Sequence, residues 1–212
     1  MNFEIFTFGN PDADTLLLQM TDDHDMEVME QEVSYIHDLS GEIDFCLKAV
    51  KVNSWNNDLS PWPAPAVFGT EDFGEGAEGT LDFILSEVIP DDSKIYIGGY
   101  SLAGLFALWA GYQTDRFDGI AAASPSIWFP DFTEYMRKNE LHAGAVYLSL
   151  GDREEKTRNP VMSQVGNAIR EGYDILVKAG KDCILEWNGG NHFKEPDLRT
   201  AKAFVWLMNR EL

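Results

Sequence analysis

The sequence predicts an α/β chain, a three-layer sandwich around a mostly parallel central sheet, and two observations carry that reading. Short apolar runs alternate with longer stretches of helical spacing, and the runs are apolar throughout, as strands covered by helices on both faces must be. The chain has 212 residues, 44% hydrophobic and 12% aromatic, enough to bury one core without disulfides or metals, so a single domain spanning 1–212 is expected.

Residues 3–8 form a first short strand, and the turn signal Asn10-Pro11-Asp12-Ala13-Asp14 leads into a second at 15–20. A helix follows over 26–38, with Thr21 or Asp22 as its cap. Asp22, Asp23, His24 and Asp25 read as acids complementing the helix dipole rather than as metal ligands. The third strand covers 45–52. Residues 53–79 then hold Trp55, Trp62, Phe68 and Phe73 among prolines and glycines, and so long a loop reads either as an aromatic wall of a substrate pocket or as a satellite cluster covering the sheet's end. Helical spacing resumes over 80–88 and stops at Pro90-Asp91-Asp92. Strands are expected at 94–100, 119–124, 145–150 and 183–187, and helices at 102–110, 132–141, 161–179 and 200–209.

A formal net charge of −20 excludes a nucleic-acid binder, which must offer Lys and Arg to phosphates. No apolar run approaches the ~18 residues of a membrane span. The start, Met1-Asn2-Phe3-Glu4-Ile5-Phe6, lacks a basic region followed by an apolar core, so a cytoplasmic protein is expected. Cys46 and Cys183 sit in apolar segments without metal-ligand spacing to a histidine and read as reduced thiols.

The chemistry centres on Gly99-Tyr100-Ser101-Leu102-Ala103. Between a buried strand and a buried helix, this serine stands on a sharp strand-to-helix turn with the positive end of the helix dipole beneath it. A serine hydroxyl needs a base, and the base needs a group that holds its tautomer. His24, His37 and His142 read as surface residues. His192 follows the last strand in Asn188-Gly189-Gly190-Asn191-His192-Phe193, where glycines permit a tight turn over the sheet's carboxyl edge. The acid should follow the preceding strand, where Gly151-Asp152-Arg153-Glu154-Glu155 offers three carboxylates. Glu154 is the choice, with Asp152, Glu155 or a Ser–His dyad without a working acid as alternatives. The oxyanion would meet the Leu102 N–H and a second amide from the turn after the second strand, Met20 or Thr21. Trp128, Trp55 and Trp62 are candidate walls of a substrate pocket.

Several motifs together resemble one family. They are Leu81-x-Phe83-Ile84-x-x-Glu87-Val88-Ile89-Pro90, Ile97-Gly98-Gly99-Tyr100-Ser101-Leu102-Ala103-Gly104, Ser124-Pro125-Ser126-Ile127-Trp128, Gly151-x-x-Glu154 and Gly190-Asn191-His192-Phe193. The family is the esterase group that includes esterase D, feruloyl esterases, mycolyltransferases and enterobactin-type siderophore esterases. The resemblance covers about residues 78–210. It implies an α/β-hydrolase fold and a Ser-acid-His mechanism on small-molecule carboxylic esters, with no cofactor or metal and with acyl transfer in some branches. Two positions depart from the family pattern: Ala103 stands at the second elbow glycine, and Gln19-Met20-Thr21 stands where Asp-Gly or His-Gly is usual. The expectation is therefore a serine esterase. Acyl transfer or thioester cleavage at the same site, and a non-catalytic ligand-binding domain on the same frame, are the alternatives.

Overall fold

A computed structural model describes residues 2–41, 43–67, 69–90 and 93–210 of the chain. Phe68, Asp91 and Asp92 lie outside the described residues. Strand β1 (Glu4–Gly9) leads to β2 (Thr15–Thr21), whose residues beyond Thr15 are all buried. Helix α1 (Asp23–Ser40) is capped by Asp22, which accepts the Asp25 N–H while Asp25 returns a bond to the Asp22 N–H. This reciprocal box satisfies amides a helix start leaves open, and it accounts for the acidic cluster. Strand β3 (Cys46–Lys51) follows. The long stretch after it contains a one-turn helix α2 (Trp55–Asp58) and a bridge between Ala64 and Phe73.

Helix α3 (Ala77–Phe83) continues through a π-helical turn (Ile84–Val88) into β4 (Lys94–Tyr100) and α4 (Leu102–Gln113). Helix α4 is apolar all round and buried from Leu102 to Tyr112, as a helix enclosed on every side must be. Strand β5 (Gly119–Ala123), α5 (Phe132–Lys138), β6 (Ala145–Gly151), α6 (Val165–Lys178), β7 (Asp182–Asn188) and α7 (Pro196–Met208) complete the order. The last helix begins a turn earlier than its apolar spacing suggests, because Pro196 supplies a favourable first helical residue. That places Arg199 inside the helix.

The seven strands stand in the order β1-β3-β2-β4-β5-β6-β7. All neighbours are parallel except the edge pair β1–β3. Helices α1 and α7 pack on one face around Met29, Ile36, Tyr96, Phe204 and Leu207. Helices α3 to α6 cover the other face around Ile97, Phe106, Ile120 and Ile169. Connections leave β2 toward β3 on one side and β4 toward β5 on the other, so the strand order reverses between β2 and β4. In such sheets the crevice at the carboxyl ends beside that reversal receives ligands. No helix among the described residues is long and apolar enough to cross a membrane.

Candidate active site

Ser101 follows β4 at φ 57° and ψ −117°, a strained conformation fixed by the surrounding backbone. Its N–H donates to the Ala123 carbonyl at 3.1 Å, and its own carbonyl accepts from Leu105 and Ser126. The turn is tight enough that a Cβ at Gly99, where φ is +154°, would lie 2.6 Å from the Ala103 Cβ. A glycine at 99 therefore lets the chain carry alanine at 103.

The glycine-containing loop after β7 brings His192 over the serine, with Nε2 3.1 Å from Ser101 Oγ. Its Nδ1 lies 2.7 Å from Glu154 Oε2. Of the three carboxylates after β6, Glu154 alone meets the imidazole. Asp152 Oδ1 accepts the Gly190 N–H, and Glu155 pairs with Arg170. His24, His37 and His142 are all exposed and away from this group.

The second oxygen of Glu154 is saturated. Oε1 accepts from the Gly151 N–H at 2.7 Å, the Ser124 hydroxyl at 2.8 Å and Arg199 Nη1 at 3.1 Å. Burial alone would raise the Glu154 pKa, but the bonds from His192, Gly151 and Ser124 outweigh it and hold the carboxyl below its ordinary range. The group stays ionised, as an orienting acid must. Arg199 also donates to the Tyr100 hydroxyl at 2.9 Å and to the Asn191 carbonyl at 3.1 Å. Tyr100 in turn donates to the His192 carbonyl at 2.7 Å. Burial, and then the Glu154 charge, push the Tyr100 hydroxyl up to about 12, so it remains a neutral donor.

Sequence reasoning missed Arg199, Tyr100 and Ser124. A lone arginine at an underestimated helix start carries no spacing signal, although an arginine just after a histidine loop is one place to look for a partner of the acid.

The expected second oxyanion donor is corrected. Thr21 pairs with Lys51, and its carbonyl accepts the Val52 N–H, so both polar backbone groups of Thr21 face β3. The Lys94 N–H on the Asp14 carbonyl sets alternate residues from Asp14 onward toward β4, and the Gln19–Gly98 pairing then commits the Met20 N–H to the Gly98 carbonyl. Asp22, the next amide, donates to Asp25. Leu102 remains. As the first residue of α4 its N–H has no acceptor within the helix.

A cavity of about 530 Å³ opens beside Ser101 and His192, walled on its apolar side by Pro125, Trp128, Leu150, Met162, Val165 and Phe193. Trp128 is thus at the site. Trp62 is not among the lining residues: its indole donates to the Pro130 carbonyl and packs against Phe129, Phe132 and Tyr135. Trp55 is also absent from that wall and packs half-buried against the core from α2. Both tryptophans serve packing, because the long stretch holding them folds onto the core and α5.

No family model matches the chain, and no curated protein matches it. Solved structures do. An IroE-like serine hydrolase from Shewanella oneidensis superposes with TM-score 0.79 at 16% identity, covering 97% of this chain and 75% of that one. The siderophore hydrolase EstA from Aspergillus nidulans gives 0.74 at 20% identity, covering 99% and 91%. Siderophore hydrolase EstB from the same organism gives 0.71 at 17%, covering 97% and 94%. The parallel sheet, the elbow after β4 and these superpositions together establish that the chain has the α/β-hydrolase fold.

Proposed function

We propose that this protein is a serine hydrolase of small carboxylic esters. The observation that carries the reading is the continuous chain from Ser101 Oγ to His192 Nε2 and from His192 Nδ1 to Glu154 at 3.1 and 2.7 Å. The structural neighbours named as a serine hydrolase and as siderophore hydrolases support the class. His192 takes the Ser101 proton as Oγ attacks the acyl carbon, then gives it to the departing alkoxide. Water repeats the sequence on the acyl-enzyme, releasing the carboxylic acid and restoring the serine. Glu154 orients the imidazole and balances its transient charge. The Leu102 N–H and the α4 dipole face the developing oxyanion.

One observation favours a second reading, a ligand-binding domain that does not turn over: the amides of Met20, Thr21 and Asp22 are all engaged. A fluorophosphonate probe separates the two. It should label the wild-type protein and leave Ser101→Ala unlabelled. Failure to label the wild type, or equal labelling of both, removes Ser101 as the nucleophile.

A further inference from the structure

The loop after β6 carries five consecutive charged side chains, Asp152 to Lys156, and they are not treated alike. Each acid is engaged: Asp152 by the Gly190 N–H, Glu154 by His192 and Arg199, Glu155 by Arg170. Neither cation is. Among the described residues Arg153 and Lys156 have no carboxylate within ion-pair distance, and both side chains line the cavity that holds Ser101 and His192. The remaining acid near them, Asp152, is exposed and directs Oδ1 away to Gly190.

In a chain of 36 acidic and 16 basic residues, two exposed cations without an ion-pair partner at one cavity stand out. Most other cations here are tied to acids or carbonyls, including Lys51, Arg137, Lys138, Arg199 and Lys202. The Arg153 backbone is also fixed, because its N–H donates to the Gly190 carbonyl, so its side chain leaves a loop tied to the histidine loop itself. Thr157 and Asn191 line the same wall. Asn191 uses Oδ1 to accept the Phe193 N–H, which leaves its side-chain amide as a further donor.

The rest of the cavity lining is largely apolar, and it includes Phe193, 87% exposed and packed against the His192 ring. A cavity lined by both donors and hydrocarbon suits a molecule that carries an anion on an apolar body. We infer that Arg153 and Lys156 form an anion subsite, and that the substrate is an ester with an apolar body and a carboxylate, on its acyl or its alcohol part, held by these two cations. The inference rests on the hydrolase reading for its chemistry and not for its binding. A neutral ester of the same shape fills the apolar wall but leaves the guanidinium and ammonium without a partner. An anionic ester engages both, and its binding weakens as salt rises.

The test uses matched pairs with and without the charge. On the acyl side, the mono-4-nitrophenyl ester of adipate is compared with 4-nitrophenyl hexanoate; on the alcohol side, 4-acetoxybenzoate with 4-acetoxybenzamide. One pair should show an anionic-over-neutral kcat/KM ratio of roughly tenfold or more at low salt, consistent with charge-assisted bonds. That ratio should fall to about one in the double variant R153Q/K156Q, and K156E should invert it. Equal rates within both pairs, or a preference that survives R153Q/K156Q, overturn the subsite. If no ester shows Ser101-dependent turnover, the hydrolase reading fails instead. Equilibrium binding of the same four esters to Ser101→Ala then decides the subsite by the same ratio and the same double variant.

Discussion

Arg199 Nη1 lies 3.1 Å from Glu154 Oε1, with the two side chains 2% and 4% exposed, so the acid that meets His192 is itself one half of a buried ion pair. The guanidinium also reaches Tyr100 and the carbonyls of Gly189 and Asn191, both in the loop that leads into His192. It therefore fixes the acid and the histidine loop relative to each other from the first turn of α7. Removing one partner of such a pair leaves an uncompensated buried charge, a cost of about 3–5 kcal/mol. Arg199→Met should lose stability of that order in denaturant titrations. Arg199→Lys keeps the charge but cannot span both carbonyls, so it should fold and lower kcat roughly tenfold, with KM changing less, since the effect passes through His192. A Lys variant with wild-type kcat would show that the fork has no part in positioning.

The choice of Glu154 among three carboxylates has its own test. In Glu154→Gln the amide donates to Nδ1, forcing the tautomer in which Nε2 carries the proton and cannot accept one from Ser101. Loss of kcat by about 10³ to 10⁴ is expected, as for acid-to-amide changes in other serine triads. Glu155→Gln gives up only the Arg170 pair and should stay within about twofold. Steady-state kinetics on a nitrophenyl ester checks both, and a larger loss from Glu155→Gln than from Glu154→Gln would reverse the assignment.

The elbow's departure at Ala103 makes a prediction about its neighbour. Gly99→Ala forces a Cβ to 2.6 Å from the Ala103 Cβ, at a φ of +154° that disfavours any side chain. The variant should lose stability by about 2 kcal/mol or more and displace Ser101, lowering kcat/KM. Adding Ala103→Gly removes the clashing methyl but not the backbone strain, so the double variant should recover part of both losses. Thermal denaturation with kinetics reads the recovery, and strict additivity of the two changes would show that the methyls do not meet.

The frame and the Ser101–His192 juxtaposition were legible in the sequence because both leave local signals. Apolar runs marked β2 to β7, and glycines around Ser101 and His192 marked the turns after β4 and β7. Glu154 was legible as one of three neighbours, and only packing against His192 separated it from Asp152 and Glu155. The oxyanion turn was misread because β2 extends through Thr21, pairing amides that a shorter strand would have left open. Trp55 and Trp62 pack on the core instead of lining the cavity, and composition marks a long loop as functional without saying what its aromatic residues pack against. Arg199 was invisible for the opposite reason, since its partners lie 8 to 99 residues away and none of those separations is periodic.

Two carboxyls of α1 should each cost stability as pH rises from acid toward neutral, against the opposite contribution of lowered acids such as Glu154. Glu32 is 3% exposed and meets only Gln19 Nε2, at 3.3 Å, while its Oε1 and the Gln19 Oε1 have no hydrogen-bond partner. Burial first, and then the charges of Asp25 and Asp197, push the Glu32 carboxyl well above its ordinary value of 4.5. Asp25 is raised to about 6, by burial and the Asp22 charge. For an acid raised on folding, the native state holds more protons than the unfolded one between the two pKa values. The associated stability is therefore complete below about pH 4 and is lost as pH rises through the raised value. Asp25 contributes this loss between about pH 4 and 6, and Glu32 continues it above that. Glu32→Gln removes the titration while keeping the shape and a donor for the Gln19 oxygen. It should be more stable than wild type at pH 8 by about 1–3 kcal/mol, raising Tm by roughly 2–4 °C per kcal/mol, with the gain vanishing near pH 4. Melting curves of both proteins across pH 4 to 8 decide it. A Glu32→Gln protein that melts with or below wild type at pH 8 would mean that Glu32 is ionised and paired in the folded state.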